Sequence, residues 1–433
     1  MHSYLRRLQR GADKTVLHLQ LARLLRSISQ GIAIVDLALY LKDLHWSAKE
    51  IGGVLSAAGV AGAVLILFVG VLSDRYGRKR FLLVYELLTA ISALLMVFTE
   101  SSPLIAVIIV LTGFGRGQNG AAGPFTPAEQ AWMTAHVARQ YRGRVFSTNN
   151  ALGFFGMAIG SILAALPRLW WHSLPGASAY KPLFGLMFVG SVLCAIVIAT
   201  APKEQRTQRT QRVDETNPAT EDAVTPQAPD ERSIRRQENR NMLRLAGVNL
   251  LNGLAVGFVG PMMSYWFASK FGVSSAQIGI TLALSFVFTG ISSLVTGALT
   301  TRFGLIRSVV LLQVLGTVMI LILPLMPSFA LASTFYVLRS ALSRGTQGAR
   351  SALSTSLTRD KRRGFSVSMN SLVMRTSSAI GPTLSGYLLD AGAFSVPFYI
   401  TGVLQMCSAL LYGRLFRSFD APQRGNLRGH DVG

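Results

Sequence analysis

The feature that most constrains this chain is the recurrence of apolar runs long enough to cross a bilayer. They fall at 24–42, 50–73, 81–99, 103–126, 146–167, 182–201, 243–268, 276–299, 308–326, 329–351, 366–389 and 394–415. Crossing the hydrocarbon takes about 20 mostly apolar residues in a helix. Helix is required because lipid offers the backbone no hydrogen-bond partners. Only 14% of the 433 residues are charged, against roughly a quarter in soluble proteins. The expected fold is therefore an all-α membrane protein with twelve transmembrane helices. One polar break interrupts them, at 203–240, rich in Gln, Thr, Pro and charge, with too little apolar content to bury a core. It divides the chain into an N-terminal segment (1–23), a six-helix bundle (24–202), a linker (203–240), a second six-helix bundle (241–416) and a basic tail (417–433). A short surface helix near Glu231–Arg240 fits the end of the linker.

The net charge of +22 does not indicate a nucleic-acid partner, because the basic residues are not gathered into a soluble reader domain. They sit between apolar runs on alternate sides. One side collects Arg6, Arg7, Arg10, Lys14, the Arg75–Arg80 cluster, Arg139, Arg142, Arg144, the linker arginines, Arg302, Arg307, Arg359, Lys361, Arg362, Arg363 and the tail. The other holds Lys42, Lys49, Arg168, Lys181 and Lys270. The positive-inside rule then places both termini in the cytoplasm, and the expected location is the plasma membrane, as a multi-pass protein. Trp46, Trp132, Trp170, Trp171 and Trp266 all fall near run ends, where indole favours the interface. Cys194 and Cys407 lie far apart in apolar runs, so no metal or disulfide framework is implied. The first 20 residues lack the apolar core and cleavage site of a removable signal.

The second half repeats the first. GVLSDRYGRKR at Gly70 returns 227 residues later as GALTTRFGLIR at Gly297, and Ile51-Gly52 returns as Ile278-Gly279. RGQNGA at Arg116 is echoed by RGTQGA at Arg344, and Phe146-Ser147 by Phe365-Ser366. Four echoes in one order indicate duplication. Transporters built from repeated halves place the substrate site between them, near the midplane.

The loop at Gly70, Leu72, Asp74, Arg75, Gly77, Arg78, Lys79 and Arg80 resembles the signature of the major facilitator superfamily, Gly-x-Leu-x-Asp-Arg-x-Gly-Arg-Lys/Arg. The resemblance implies two six-helix bundles, alternating access, and a gating loop in which Asp74 braces the first half against the positive N-terminus of the eleventh helix, near Phe365–Ser371. A plainer reading, in which the arginines only enforce topology, leaves Asp74 and the glycines unexplained. Thr301 stands where the repeat would carry its acid, so the two gates are expected to be unequal. Arg116 matches the arginine of the family's fourth-helix signature, which implies a role in substrate or proton coupling. The fifth helix matches the drug:proton antiporter signature only in part: Gly153, Gly156 and Gly160 are present, but its Gly-Pro pair is absent there and appears instead at Gly381-Pro382.

Ionisable residues inside a span are costly and mark function or a buried partner. Asp36 falls near the midplane of the first helix, where a carboxylate suits proton coupling or recognition of a cation. Its alternative is a structural pair. Arg344 is the repeat equivalent of Arg116. Arg339, five residues earlier, lies on a different helix face, so one of the two is expected on the cavity and the other elsewhere. Glu86 reads as structural support, Glu129 as a brace to Arg78 or Arg142, and Arg375 as part of a polar stretch from Asn370 to Ser378. Asn150 and Asn252 are candidate cavity residues, with Gln30, Asn149, Asn249 and Tyr265 behind them.

These observations point to a secondary active transporter acting as a monomer on a small-molecule substrate. No cofactor is expected beyond the proton gradient, and no partner beyond the bilayer. No GxxxxGK[ST], HExxH or GxSxG occurs, which argues against an ATP-driven pump and against an intramembrane hydrolase. Proton-coupled export of apolar or cationic compounds, of the multidrug-efflux type, is the leading expectation. A carrier of organic anions or metabolites is the alternative, because arginines outnumber acids within the spans. A non-transporting sensor with the same fold is a third.

Overall fold

The computed structural model describes residues 14–114, 125–137, 141–202, 231–357 and 360–417. Among them the chain is helical without strands, and nine helices are long and apolar enough to cross a membrane. In chain order the helices are α1 (Lys14–Asp43), α2 (Ala48–Tyr76), α3 (Arg78–Phe98), α4 (Ser102–Thr112), α5 (Phe125–Ala135), α6 (Arg142–Leu163), α7 (Pro167–Trp170) and α8 (Lys181–Thr200). The second half comprises α9 (Glu231–Val259), α10 (Met263–Phe271), α11 (Ser275–Phe303), α12 (Leu305–Ile322), α13 (Phe329–Gly345), α14 (Gln347–Ser356), α15 (Asp360–Asp390) and α16 (Val396–Phe416).

The helices are turned inside out relative to a soluble bundle. On α3, Val84, Leu87, Leu88, Ile91, Leu95 and Phe98 are exposed, while Tyr85, Glu86 and Thr89 are buried. The exposed stripe follows helical spacing, and its solvent is lipid. The polar groups turn inward because hydrocarbon cannot satisfy them.

Helix bounds depart from the apolar runs where the reasons are local. The seventh run breaks after Val259 at Gly260-Pro261 and resumes as α10, since proline lacks the N–H that a helix interior needs. The tenth run is divided at Thr346 into α13 and α14. α1 begins at Lys14, ten residues before its run, and α9 begins at Glu231, within the stretch read as linker. Lipid sets the length of the apolar part only; a helix extends beyond it wherever the polar sequence still favours helix.

The duplication is legible in local geometry. α2 opens on a capping box of Ser47 and Glu50, and α11, 227 residues later, on one of Ser274 and Gln277. The Ser47 hydroxyl accepts from the Glu50 N–H at 3.2 Å, and the Ser274 N–H donates to the Gln277 side chain at 3.2 Å, each a backbone group that the helix itself leaves unpaired. Gly77 joins α2 to α3 at φ 90°, and Gly304 joins α11 to α12 at φ 91°. That left-handed turn is open to glycine at little cost, so the same residue stands at the same corner of both halves.

The halves meet along α2 with α15 and α6 with α11. At the end away from the basic loops the contact is close. Gly52 faces the Pro382 carbonyl and Gly386 faces the Ala48 carbonyl, with no room for a Cβ at either. Pro382 interrupts the hydrogen-bond ladder of α15, and the Thr383 N–H beside it donates to the Ser56 hydroxyl at 2.9 Å. Asp390, the last residue of α15, accepts from the Ala48 and Lys49 N–H groups at 2.8 Å each. One half therefore supplies the carboxylate that caps the other half's α2, where the helix dipole favours negative charge. Ser264 adds a bond from its hydroxyl to the Ile34 carbonyl, at 2.9 Å.

Candidate functional site

A polar cavity of about 300 Å³ lies in the second half. Asn249, Asn252 and Val256 of α9, with Gly260 just past its end, line one wall, the three helical residues at spacings of three and four that place them on one face. Asn370, Ser371, Met374, Arg375 and Ser378 of α15 form a second wall by the same periodicity. Arg339, Ser343 and Arg344 of α13, then Arg350 of α14, make a third, and Gln313 and Gln405 come from α12 and α16.

Four of these residues are arginines, and no Asp or Glu lines the cavity among the described residues. Arg339 is 4% exposed, and its Nε has no hydrogen-bond partner among the described residues. Arg344 donates to the Tyr336 hydroxyl at 3.2 Å and lies 5.8 Å from the centre of the Phe286 ring. Its Nη1 is buried without a partner among the described residues. Arg350 donates to the Asn249 side chain, which in turn donates to Asn370. Its guanidinium also sits 5.8 Å from the centre of the Tyr412 ring, a favourable placement for a cation.

The structure brings both Arg339 and Arg344 to this cavity. Five residues turn a helix by about 140° past a full revolution, so their Cα atoms do sit on different faces. The cavity is wide enough, and an arginine stem long enough, for both guanidinium groups to reach it. Asn252 lines the same cavity. Asn150 is half-buried in α6 of the other half. Arg116 lies outside the described residues.

The first half uses its charges differently. Arg23 donates to Glu129 at 3.0 Å and to the Thr126 hydroxyl at 3.1 Å, and Asn149 donates to the same Glu129 carboxylate at 3.1 Å. Arg26 pairs with Glu86 and stacks against Phe125, 4.5 Å from its ring centre. Glu129 thus has Arg23 as its ion-pair partner, where Arg78 or Arg142 had been expected. Arg78 instead donates to the Ala131 carbonyl at 2.9 Å. Two arginines three apart on α1 hold α3, α5 and α6 through these contacts.

Asp36 stands apart from the arginine cavity. It is 3% exposed, and neither carboxylate oxygen has a hydrogen-bond partner among the described residues. It shares a stripe of α1 with Ser29 and Tyr40. Ser29 abuts Gly190 of α8, and the Tyr40 ring lies edge-on to Phe184 of α8 at 5.0 Å. The carboxylate therefore faces α8 inside the first bundle, within electrostatic range of Tyr180.

In the basic loop, Gly70 and Asp74 lie in the last turns of α2, and the side chain of Asp74 is outside the described ones. Arg75 is exposed, 5.7 Å from the centre of the Tyr76 ring. Lys79 donates to the Ala199 carbonyl at 2.8 Å and also to the Ala201 carbonyl. A cation here satisfies carbonyls that the end of α8 leaves open.

Nothing in the sequence marks Asp390. An acid at a run end looks like any solvated charge, and its partners are backbone N–H groups more than 340 positions away.

A sequence model of the Major Facilitator Superfamily matches residues 19–238 and 245–431. Over 94% of this chain and 95% of the relative, identity is 22% to an uncharacterized membrane protein of Saccharomyces cerevisiae, YJR124C. Multidrug resistance protein MdtG of Dickeya zeae is 27% identical over 35% of this chain and 36% of its own. Among solved structures, a D-xylose-proton symporter superposes with a TM-score of 0.72 at 12% identity, over 92% of this chain and 96% of that one. The nucleoside transporter NupG superposes at 0.68 and 13% identity, over 93% of this chain and 99% of its own. At such identities the structural likeness is one of fold.

Proposed function

The chain belongs to the Major Facilitator Superfamily, and from that premise we propose that it exports a small organic solute by alternating access, driven by the proton gradient. It is a transporter and not an enzyme. The observation that carries the reading is the polar cavity of about 300 Å³ in the second half, in a molecule whose halves are latched together at the end away from the basic loops. Ionisable groups inside a membrane protein are costly, and those that line a cavity mark a substrate or ion path by default.

In the proposed arrangement twelve spans cross the plasma membrane with both termini cytoplasmic, so the latched end faces outward. Opening it requires α15 to leave α2. Asp36 is the proposed proton carrier: it is buried, its oxygens have no hydrogen-bond partner among the described residues, and it lies away from the arginines of the cavity. Export is favoured over uptake by the similarity to a protein named for multidrug resistance. The chain acts as a monomer, with the basic loop carrying Asp74 as its inner gate.

The test is flux of a solute panel in proteoliposomes under an imposed pH gradient, for the parent and Asp36→Asn. The parent should move at least one solute against its gradient, and the variant should lose that accumulation while keeping downhill exchange. Undiminished accumulation by the variant removes Asp36 from coupling. Absence of any flux in the parent favours a sensor that has kept the fold.

A further inference from the structure

We propose that the cavity of the second half selects organic anions, holding a carboxylate or phosphate group between Arg339 and Arg344. The inference rests on that cavity being the substrate site, and it names the class of substrate. It runs against the apolar or cationic cargo that the sequence suggests.

The argument is one of charge and geometry. Arg339 is almost fully buried and Arg344 half-buried, and the two lie within electrostatic range of each other. Two like charges in a poorly solvated site repel, and each has also lost hydration. Such a pair persists where a counter-charge neutralises it. The described carboxylates inside the spans stand elsewhere: Glu86 holds Arg26, Glu129 holds Arg23, Asp36 lies on the stripe of α1 that packs on α8, and Glu238 sits near the start of α9. None of them lines the cavity. Asp390 caps α2 at the far end. The counter-charge is then best supplied by a ligand.

The donors are also arranged for one. The Tyr336 hydroxyl and the Phe286 ring hold the Arg344 guanidinium in place, while its Nη1 and the Arg339 Nε keep unused donors. A guanidinium is a planar fork that matches carboxylate and phosphate oxygens in pairs. Arg350, tied to Asn249, adds positive field from the α14 end of the same wall. A cation entering the same space meets Arg375 on one wall, Arg339, Arg344 and Arg350 on another, and no described acid. The volume of about 300 Å³ falls at the small end of ligand pockets, which suits a small metabolite better than a bulky drug.

The test uses the purified full-length protein in nanodiscs and in proteoliposomes. Binding is read as ligand-dependent thermal stabilisation with succinate, glycerol phosphate, a neutral sugar and tetraphenylphosphonium, at constant chloride. Transport of the same four is read by counterflow. Succinate or glycerol phosphate should stabilise the parent and exchange, and comparison of the two separates carboxylate from phosphate recognition. Arg339→Gln and Arg344→Gln should each weaken that binding at least tenfold. Arg339→Lys, which keeps the charge and loses the fork, should fall between, and the exposed Arg302→Gln should match the parent. Where a glutamine variant does not fold, Arg339→Lys carries the comparison. Stabilisation and exchange by tetraphenylphosphonium without either anion overturns the proposal, as does parental anion affinity in Arg339→Gln or in Arg339→Lys. Anion binding without any counterflow leaves the anion site standing and removes the transport reading. Cation counterflow with no anion binding does the reverse.

Discussion

The two halves share a fold and a repeat, yet they treat buried charge in opposite ways. In the first, Arg23 and Arg26 each meet a glutamate at contact distance. In the second, Arg339, Arg344 and Arg350 border a cavity that no described acid lines. A buried charge with a counter-charge beside it holds helices together; one without carries an uncompensated cost, which is the ground for the anion site proposed in the second half. The difference teaches that the repeat carries backbone geometry while the charges are placed separately, paired with acids in the first half and set around a cavity without a described acid in the second.

Breaking a first-half pair tests that division most severely. Glu86→Ala leaves Arg26 buried without its counter-charge and should cost about 3–5 kcal/mol, read as a large fall in thermal unfolding temperature in detergent. Parental stability would show the pair to be dispensable and erase the contrast.

Asp390→Asn comes next. Hydrogen bonds to a charged group contribute roughly 1.5–3 kcal/mol, and the asparagine keeps one acceptor. The latched end should open more often, raising maleimide labelling of a Ser56→Cys reporter by about tenfold, since 1.4 kcal/mol is a factor of ten. Unchanged labelling would make the cap incidental to closure.

Smaller again, Gly77→Ala and Gly304→Ala should each lose about 1–2 kcal/mol to left-handed strain, and by similar amounts. A marked inequality between them would mean that the two corners are equivalent in shape only.

Smallest in stability is Arg339→Met, expected within about 1 kcal/mol of the parent because it removes a charge that has lost its hydration. Its substrate flux should nevertheless fall severely. If instead it unfolds as readily as Glu86→Ala, Arg339 is a structural residue and the two halves are alike.

Much of the fold was legible in the sequence because hydrocarbon imposes a simple rule. Apolar runs of about 20 residues must be helices, and the GVLSDRYGRKR loop and its echo fixed the repeat before any contact was known. Gly77 and Gly304 then appear at matching corners with matching φ. The breaks at Gly260-Pro261 and Thr346 were less visible, since either stretch is apolar enough to read as one run. The site was legible only as residue types. Asn252, Arg339 and Arg344 stood out as polar groups in spans, but helical spacing separated the two arginines, and the cavity brought them together. Asp36 stood out equally, as a carboxylate suited to proton coupling or to a cation, and only the packing of α1 on α8 shows that it lies apart from the arginine-lined cavity.

What the sequence alone determined is therefore the membrane-spanning helical class, the duplication and the basic loop whose Gly70–Arg80 signature marks the family. Each follows from local patterns of hydropathy, charge and turn residues. Which charges neutralise one another was decided only by the tertiary structure. Partners such as Arg26 with Glu86, or Asp390 with the start of α2, lie tens to hundreds of residues apart, and electrostatics acts on distance in space. That pairing is what leaves the second half a cavity bordered by arginines and by no described acid.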